Sequence, residues 1–270
     1  MYDNIQENCA EGFAMQERIN GLKQLLQAGQ PGIGIWCSLA TALTTEVVAG
    51  AGADWILIDG EHSPNDLRSI VAQLQAAGAY PTCEPAVRLP SDDANLIKQM
   101  MDGGARSLMV PNVRTADQAR AIVAAMSYAP QGMRGFSVGH RANAFGRIKN
   151  YHATAREQQL LAVQIECETG VANAAEIAAV PGVDVLFVGP GDLSTNMGVM
   201  GNPSAPHVQA AIQSVLDAAR GQGKAAGILA PQQADAERYL QAGFTMVAVG
   251  SDLGLLARGS DDLVARFKAR

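Results

Sequence analysis

Short apolar runs recur along the chain, each led in by a Gly-headed turn and closed by polar residues. The clearest copies are Gly52-Ala53-Asp54-Trp55-Ile56-Leu57-Ile58, Gly104-Ala105-Arg106-Ser107-Leu108-Met109-Val110, Gly182-Val183-Asp184-Val185-Leu186-Phe187-Val188 and Gly243-Phe244-Thr245-Met246-Val247-Ala248-Val249. Their apolar cores do not alternate with polar residues, which is the pattern of strands buried on both faces. Comparable runs at 32–37, 84–88, 161–166 and 224–229 bring the strand count to eight. Between them the apolar positions fall at helical spacing, over 44–51, 66–77, 93–102, 115–126, 170–179, 206–222 and 232–242. Asp66, Asp93 and Thr115 stand at N-cap or first-turn positions of three of these helices. Strand and helix in strict alternation imply a parallel sheet, and eight such units in about 230 residues predict a (β/α)8 TIM barrel.

The two ends depart from the repeat. Residues 1–16 are polar and irregular and read as an N-terminal arm, leaving 17–270 as a single domain. Ile19, Leu22, Leu25 and Leu26 then mark a helix stopped at Gly29 with Pro31 beyond it, placed to plug the barrel floor. At the other end Leu253, Leu256, Leu263 and Phe267 mark an amphipathic helix, which either packs on its own barrel or is swapped with a neighbouring subunit. Residues 127–160 are too long for a plain connection, and loops of that length in compact domains are usually functional.

Composition narrows the partners. With 270 residues, a net charge of −6 and no Lys/Arg run, the chain lacks the basic footprint that a nucleic acid or an anionic membrane requires. A small-molecule ligand is expected. Cys9, Cys37, Cys83 and Cys167 show no close pairing and are read as reduced. Asp3, Glu7, Glu11 and Glu17 occupy the place of the basic region of a secretion signal, and no run reaches the roughly 18 apolar residues of a membrane span. The expected location is the cytoplasm.

Barrel active sites lie at the carboxyl ends of the strands. There the second strand ends in Asp59-Gly60-Glu61-His62, the third in Arg88, the fifth in Glu166 and the sixth leads to Asp192. Glu166 and Asp192, on consecutive strands, offer hard oxygen ligands suited to Mg²⁺ or Mn²⁺; the other reading is a salt-bridged or capping pair. Glu168 competes with Glu166 if the strand runs that far. Asp59 is spaced to orient His62 and raise its basicity, making a general-base dyad, although a lone His is as often a bland surface or core residue. Arg88 is either a snorkelling structural arginine or a fork for a carboxylate. A Schiff-base mechanism finds no support, because Lys23, Lys98, Lys149, Lys224 and Lys268 all fall away from that rim.

Four stretches together resemble the metal-dependent class II pyruvate aldolases of the HpcH/HpaI type: Asp54 to His62, Val163-Gln164-Ile165-Glu166, Val188-Gly189-Pro190-Gly191-Asp192-Leu193-Ser194 and Gly227-Ile228-Leu229. The resemblance covers roughly residues 19–267. It implies a carbon–carbon lyase that splits a 4-hydroxy-2-keto acid into pyruvate and an aldehyde. It further implies Glu166 and Asp192 as ligands of Mg²⁺, Mn²⁺ or Co²⁺, Arg88 on the keto acid, and His62 with Asp59 as acid/base machinery. Gln164, Gly191 and Leu229 would line the substrate site. Asp102 would be lent to a neighbouring subunit's site within a homo-oligomer, a hexamer. Gly191 stands where members often carry Ala or Ser, so its N–H survives while any side-chain contact is lost. Residues 134–143, with His140, Arg141 and Asn143, look most like aldolases that cleave 2-dehydro-3-deoxyglucarate to pyruvate and tartronate semialdehyde. A 4-hydroxy-2-oxoheptanedioate aldolase of the same family, or a phosphoenolpyruvate-type barrel lyase, is the alternative.

Overall fold

The computed structural model describes Met15 and residues 17–268. All of the expected 1–16 arm but Met15, and Cys9 with it, lies outside the described residues. The order of elements is α1 (Gly21–Gln27), β1 (Gly32–Cys37), α2 (Ala42–Ala49), β2 (Trp55–Asp59), α3 (Leu67–Ala77), β3 (Glu84–Arg88), α4 (Ala94–Asp102), β4 (Ser107–Val110), α5 (Ala116–Met126), α6 (Tyr151–Gln158), β5 (Leu160–Ile165), α7 (Glu168–Ala172), α8 (Ala174–Ala178), β6 (Val185–Val188), α9 (Pro190–Asn196), α10 (Pro206–Gly221), β7 (Ala225–Leu229), α11 (Gln233–Ala242), β8 (Met246–Ser251) and α12 (Asp252–Lys268). The eight strands are parallel, pair in chain order and close from β8 back to β1. The expected TIM barrel is therefore the fold.

Side-chain parity explains both the core and the site. On β2, Trp55 and Leu57 point into the barrel and join Trp36, Ala86, Met109, Ala162, Val185 and Phe187 in an inner cluster. Ile56 and Ile58 point outward against the helices. A strand alternates faces with period two, so Asp59 continues the inward row of β2, Arg88 that of β3 after Glu84 and Ala86, and Gln164 that of β5 after Leu160 and Ala162. Above Glu84 and Ser107 at the floor, the inner rows are apolar and turn polar again at their last positions. Close packing below them leaves no room for extra atoms: a Cβ on Gly34 would lie 2.1 Å from the Trp55 ring.

The floor is closed by α1 as expected, with Leu22 buried in the inner cluster. Asn20 caps this helix by accepting from Lys23 N–H, and its Nδ2 donates to Ser107 Oγ at 2.8 Å. Asp66, Asp93 and Thr115 are N-caps of α3, α4 and α5. The stretch expected as one helix over 170–179 is two short ones, α7 and α8, meeting at Asn173, whose side chain donates to Arg114 O. The 127–160 connection is not a plain loop, since it holds α6 and a 3-10 turn at Arg141–Asn143.

Helix α12 is anchored at its start, where Asp252 accepts from the N–H groups of Ser38 at 2.8 Å and Leu39 at 3.1 Å. Leu255, Leu256, Leu263 and Phe267 farther along it are exposed. Cys37, Cys83 and Cys167 are buried and unpaired. Among the described residues no helix is long and apolar enough to cross a membrane.

Candidate active site

A cavity of about 400 Å³ opens at the carboxyl ends of the strands, lined by Trp36, His62, Arg88, Gln164, Phe187, Gly191, Asp192, Leu229 and neighbours. A larger one, about 490 Å³, lies at the opposite end between Glu84, Arg106, Arg141 and Tyr151. The smaller carries the chemistry, because the polar ends of β2, β3, β5 and β6 meet there. The substrate-side residues expected from the sequence, Arg88, Gln164, Gly191, Asp192 and Leu229, line this one space.

Arg88 is the most constrained of them. It sits directly opposite Asp59 in the β2/β3 register. Its Nε donates to Asp59 Oδ1 at 2.9 Å and its Nη2 to Asp59 Oδ2 at 2.6 Å. Nη1 lies 2.8 Å from Glu61 Oε2. Trp36 roofs the pair, with the Arg88 guanidinium 4.9 Å from its ring and its indole N–H donating to Asp59. Burial alone would raise the Asp59 pKa, but the hydrogen bonds and charge of Arg88, with the Glu61 N–H, outweigh it and hold the carboxyl below its ordinary 3.8. Arg88 is thus neither snorkelling nor free; it is a buried cation shared by two acids.

The expected Asp59–His62 dyad is not formed through the two side chains in this structure. The Asp59 carboxylate is spent on Arg88, and His62 reaches it only through its backbone N–H at 3.3 Å. The His62 ring stands at the rim with its side chain 66% exposed and Nε2 3.9 Å from Glu61 Oε2. Glu61, passed over in the sequence, is the acid beside both Arg88 and His62. No spacing rule separates it from Asp59; only the register of Arg88 does.

Glu166 follows β5 and is buried, and its carboxyl is pushed up to about 7 by desolvation and by the nearby charges of Asp192 and Glu61. Carboxylates crowded in this way call for a cation. Among the described residues, no ion pair takes up Glu166 or Asp192, which removes the salt-bridge reading. Gln164 Nε2 donates to Glu166 Oε2 at 3.1 Å, while Gln164 Oε1 is buried with no partner among the described residues. A Cβ on Gly189 would lie 2.6 Å from Glu166 Oε2, so glycine is what admits this carboxylate. Asp192 projects from the first turn of α9, which Pro190 opens. Two hard acids and an unpartnered amide oxygen fit a divalent cation. Among the described residues no set of three or more His, Cys, Asp or Glu side chains forms a closed cage, so water or substrate would fill the remaining positions. Glu168 does not compete, because β5 stops at Ile165 and Glu168 begins α7.

Asp102 is the last residue of α4, hence at the amino-terminal end of its own barrel and away from this cavity. Its Oδ1 accepts from Arg134 Nη2 at 2.6 Å and lies 3.8 Å from His140 Nε2. His140, Arg141 and Asn143 do not meet the Arg88 cavity in their own chain. His140 faces Asp102 and Tyr128, Arg141 donates to Gly103 O at 3.0 Å, and Asn143 is buried within the loop.

The model of the HpcH/HpaI aldolase/citrate lyase family matches residues 32–259, most of the chain. The chain belongs to the HpcH/HpaI family. It is accordingly a carbon–carbon lyase of the aldolase kind. A hydroxypyruvate/pyruvate aldolase of Chromohalobacter salexigens is 49% identical, over 94% of this chain and 100% of the relative. A 4-hydroxy-2-oxo-heptane-1,7-dioate aldolase of Salmonella heidelberg is 48% identical, over 93% of this chain and 95% of the relative. A crystal structure of an HpcH/HpaI aldolase/citrate lyase family protein from Burkholderia cenocepacia superposes with a TM-score of 0.89 at 39% identity, covering 92% of this chain and 99% of that one.

Proposed function

We propose that the protein is a divalent-metal-dependent aldolase that cleaves 4-hydroxy-2-keto acids to pyruvate and an aldehyde and runs the condensation in reverse. The observation that carries this is the meeting, in one cavity, of Arg88, His62, Gln164 and Asp192, with the crowded acid Glu166 held behind Gln164 and Gly189 of its wall. Glu166 and Asp192 would hold Mg²⁺, Mn²⁺ or Co²⁺, which supplies Lewis-acid polarisation of the keto oxygen. Arg88 binds the substrate carboxylate through Nη1, the nitrogen that Asp59 leaves to it, as a charge-assisted contact. Gln164 and the Gly191 N–H, a first-turn group with no acceptor inside its helix, orient the keto acid. His62, directly or through a water, takes the proton of the C4 hydroxyl. The O–H electrons then form the aldehyde C=O, the C3–C4 pair moves into the pyruvate enolate, and the enolate regains a proton at C3.

The relatives' names favour the heptanedioate type over the sugar diacid. One acts on 4-hydroxy-2-oxo-heptane-1,7-dioate, and residues 140–143, which had suggested dehydro-deoxy-glucarate, are engaged away from the cavity. A panel of 4-hydroxy-2-keto acids, followed by pyruvate release, tests this. Heptanedioate is expected to exceed 2-dehydro-3-deoxyglucarate in kcat/KM, and chelation is expected to abolish turnover of both. A tenfold preference for the sugar diacid would restore that choice, and full turnover after rigorous metal removal would sink the metal-dependent reading.

Asp102 completes the site across a subunit boundary in this reading, as part of a homohexamer. Its Oδ1 is fixed by the buried Arg134 while its side chain keeps partial exposure at 26%, a carboxylate held for use outside its own barrel. Exposed Met133, Phe136, Val138 and Phe145 on the 127–160 segment that carries Arg134, with the bare side of α12, supply apolar surface for assembly. Mixed oligomers of the His62→Ala and Asp102→Asn variants are expected to regain activity that neither has alone. A fully active monomer in light scattering would exclude the shared site.

A further inference from the structure

Arg88 has one nitrogen edge to offer a substrate, and an acid of the protein stands on it. Nε and Nη2 are committed to Asp59, which is 2% exposed and also accepts from the Glu61 N–H and the Trp36 indole. Glu61 takes the third nitrogen, Nη1, at 2.8 Å. The two acids differ in how firmly they are held. Asp59 is the last residue of β2 with five N–H donors on its oxygens, whereas Glu61 lies in the following loop with its side chain 22% exposed. Only Glu61 can leave without breaking the barrel rim. It is also near the acid pair, since its charge is one of those acting on Glu166, and Asp192 acts on it in turn.

We propose that Glu61 is a resident stand-in for the substrate carboxylate on Arg88, displaced when a 2-keto acid binds, and that this exchange makes the site reject simple carboxylates. The inference rests on the reading that Arg88 takes the keto acid's carboxylate. A simple monocarboxylate that replaces Glu61 trades one carboxylate contact for another and gains little, because Arg88 keeps the same number of partners. A 2-keto acid brings a second oxygen, which reaches donors the stand-in does not use. The exchange also keeps a buried guanidinium paired when the site is empty, where a lost partner would be costly. Glu61 is therefore a specificity-determining positioning residue, acting through Arg88.

The test is isothermal titration calorimetry of pyruvate and of propionate into the full-length protein, after chelation and again with Mg²⁺. For Glu61→Gln, both ligands are expected to bind at least tenfold more tightly than to the parent in chelator, and in Mg²⁺ propionate, rejected by the parent, is expected to bind measurably. Glu61→Asp keeps the charge but draws it back by one methylene, so it should shift both affinities in the same direction. A structural role alone would move the melting temperature and leave these affinities in place. Unchanged or weaker carboxylate binding in chelator overturns the proposal. So does a Glu61→Gln protein that loses Mg²⁺ affinity with carboxylate affinities unchanged, which would make Glu61 a cation ligand and leave the aldolase reading standing. Failure of that reading looks different: Arg88→Lys would leave pyruvate affinity untouched in both the parent and the Glu61→Gln background.

Discussion

Glu166→Gln and Asp192→Asn are each expected to lower aldol cleavage by about three orders of magnitude while the protein stays folded. Loss of Lewis-acid stabilisation removes several kcal/mol from the transition state, and each 1.4 kcal/mol is about tenfold in rate. Folding should not suffer at position 166. The Glu166 carboxyl is pushed up to about 7 by burial and by the like charges of Asp192 and Glu61, so the folded state holds its charged form reluctantly. A neutral amide of the same shape removes that repulsion. The cation-free Glu166→Gln protein is therefore expected to melt at or above the temperature of the parent at pH 8. Calorimetric titration with Mg²⁺ or Mn²⁺ should show lost metal binding in both variants. Near-parental turnover by either variant in metal-replete buffer would remove these acids from the reaction.

Arg88 is expected to show two separate losses, one in binding and one in stability. Arg88→Lys keeps a charge but cannot span Asp59 with two parallel hydrogen bonds and also reach a substrate. Charged hydrogen bonds contribute about 1.5–3 kcal/mol each, so pyruvate C3 proton exchange should slow by roughly ten- to hundredfold. Arg88→Ala should also destabilise the fold, by about 3–5 kcal/mol, because it strands the buried Asp59 charge. The pH dependence separates the two effects. Arg88 holds the Asp59 pKa below its ordinary 3.8, so the stability this pair contributes is present above that value and is lost as pH falls through the lower folded pKa. In Arg88→Ala that acid-limb loss should disappear, since the lowering partner is gone. An Arg88→Lys protein exchanging pyruvate protons at the parental rate would refute its role on the keto acid. A melting curve for Arg88→Ala matching the parent would refute the stability argument.

Most of the scaffold was legible in the chain itself, for reasons that are local. Eight non-alternating apolar runs between helical patterns suffice for a parallel barrel, because a strand covered on both faces has no polar side to show. Asp66, Asp93 and Thr115 were recognisable as caps because a cap bonds N–H groups within three residues of itself. Asp59 and Arg88 at the rim were legible too, since inward parity carries Trp55 and Leu57 on to Asp59, and Ala86 on to Arg88. The site as a set of residues in one cavity follows from strand ends alone.

What the chain could not tell was who pairs with whom. Asp59 is near His62 in sequence, and the local reading joined them. The β2/β3 register instead puts Arg88 directly across from Asp59, and a buried carboxylate takes a buried guanidinium in preference to an imidazole at the wet rim. Glu61 then falls to the remaining nitrogen of Arg88, a role with no trace in spacing. The 127–160 segment was opaque for a related reason. Its α6 has few apolar positions, and its polar residues find partners far along the chain, Arg134 on Asp102 and Arg141 on Gly103. Periodicity and capping are fixed within a few residues of sequence, whereas the pairing of buried charges is decided by barrel register and closure, which bring together groups dozens of residues apart.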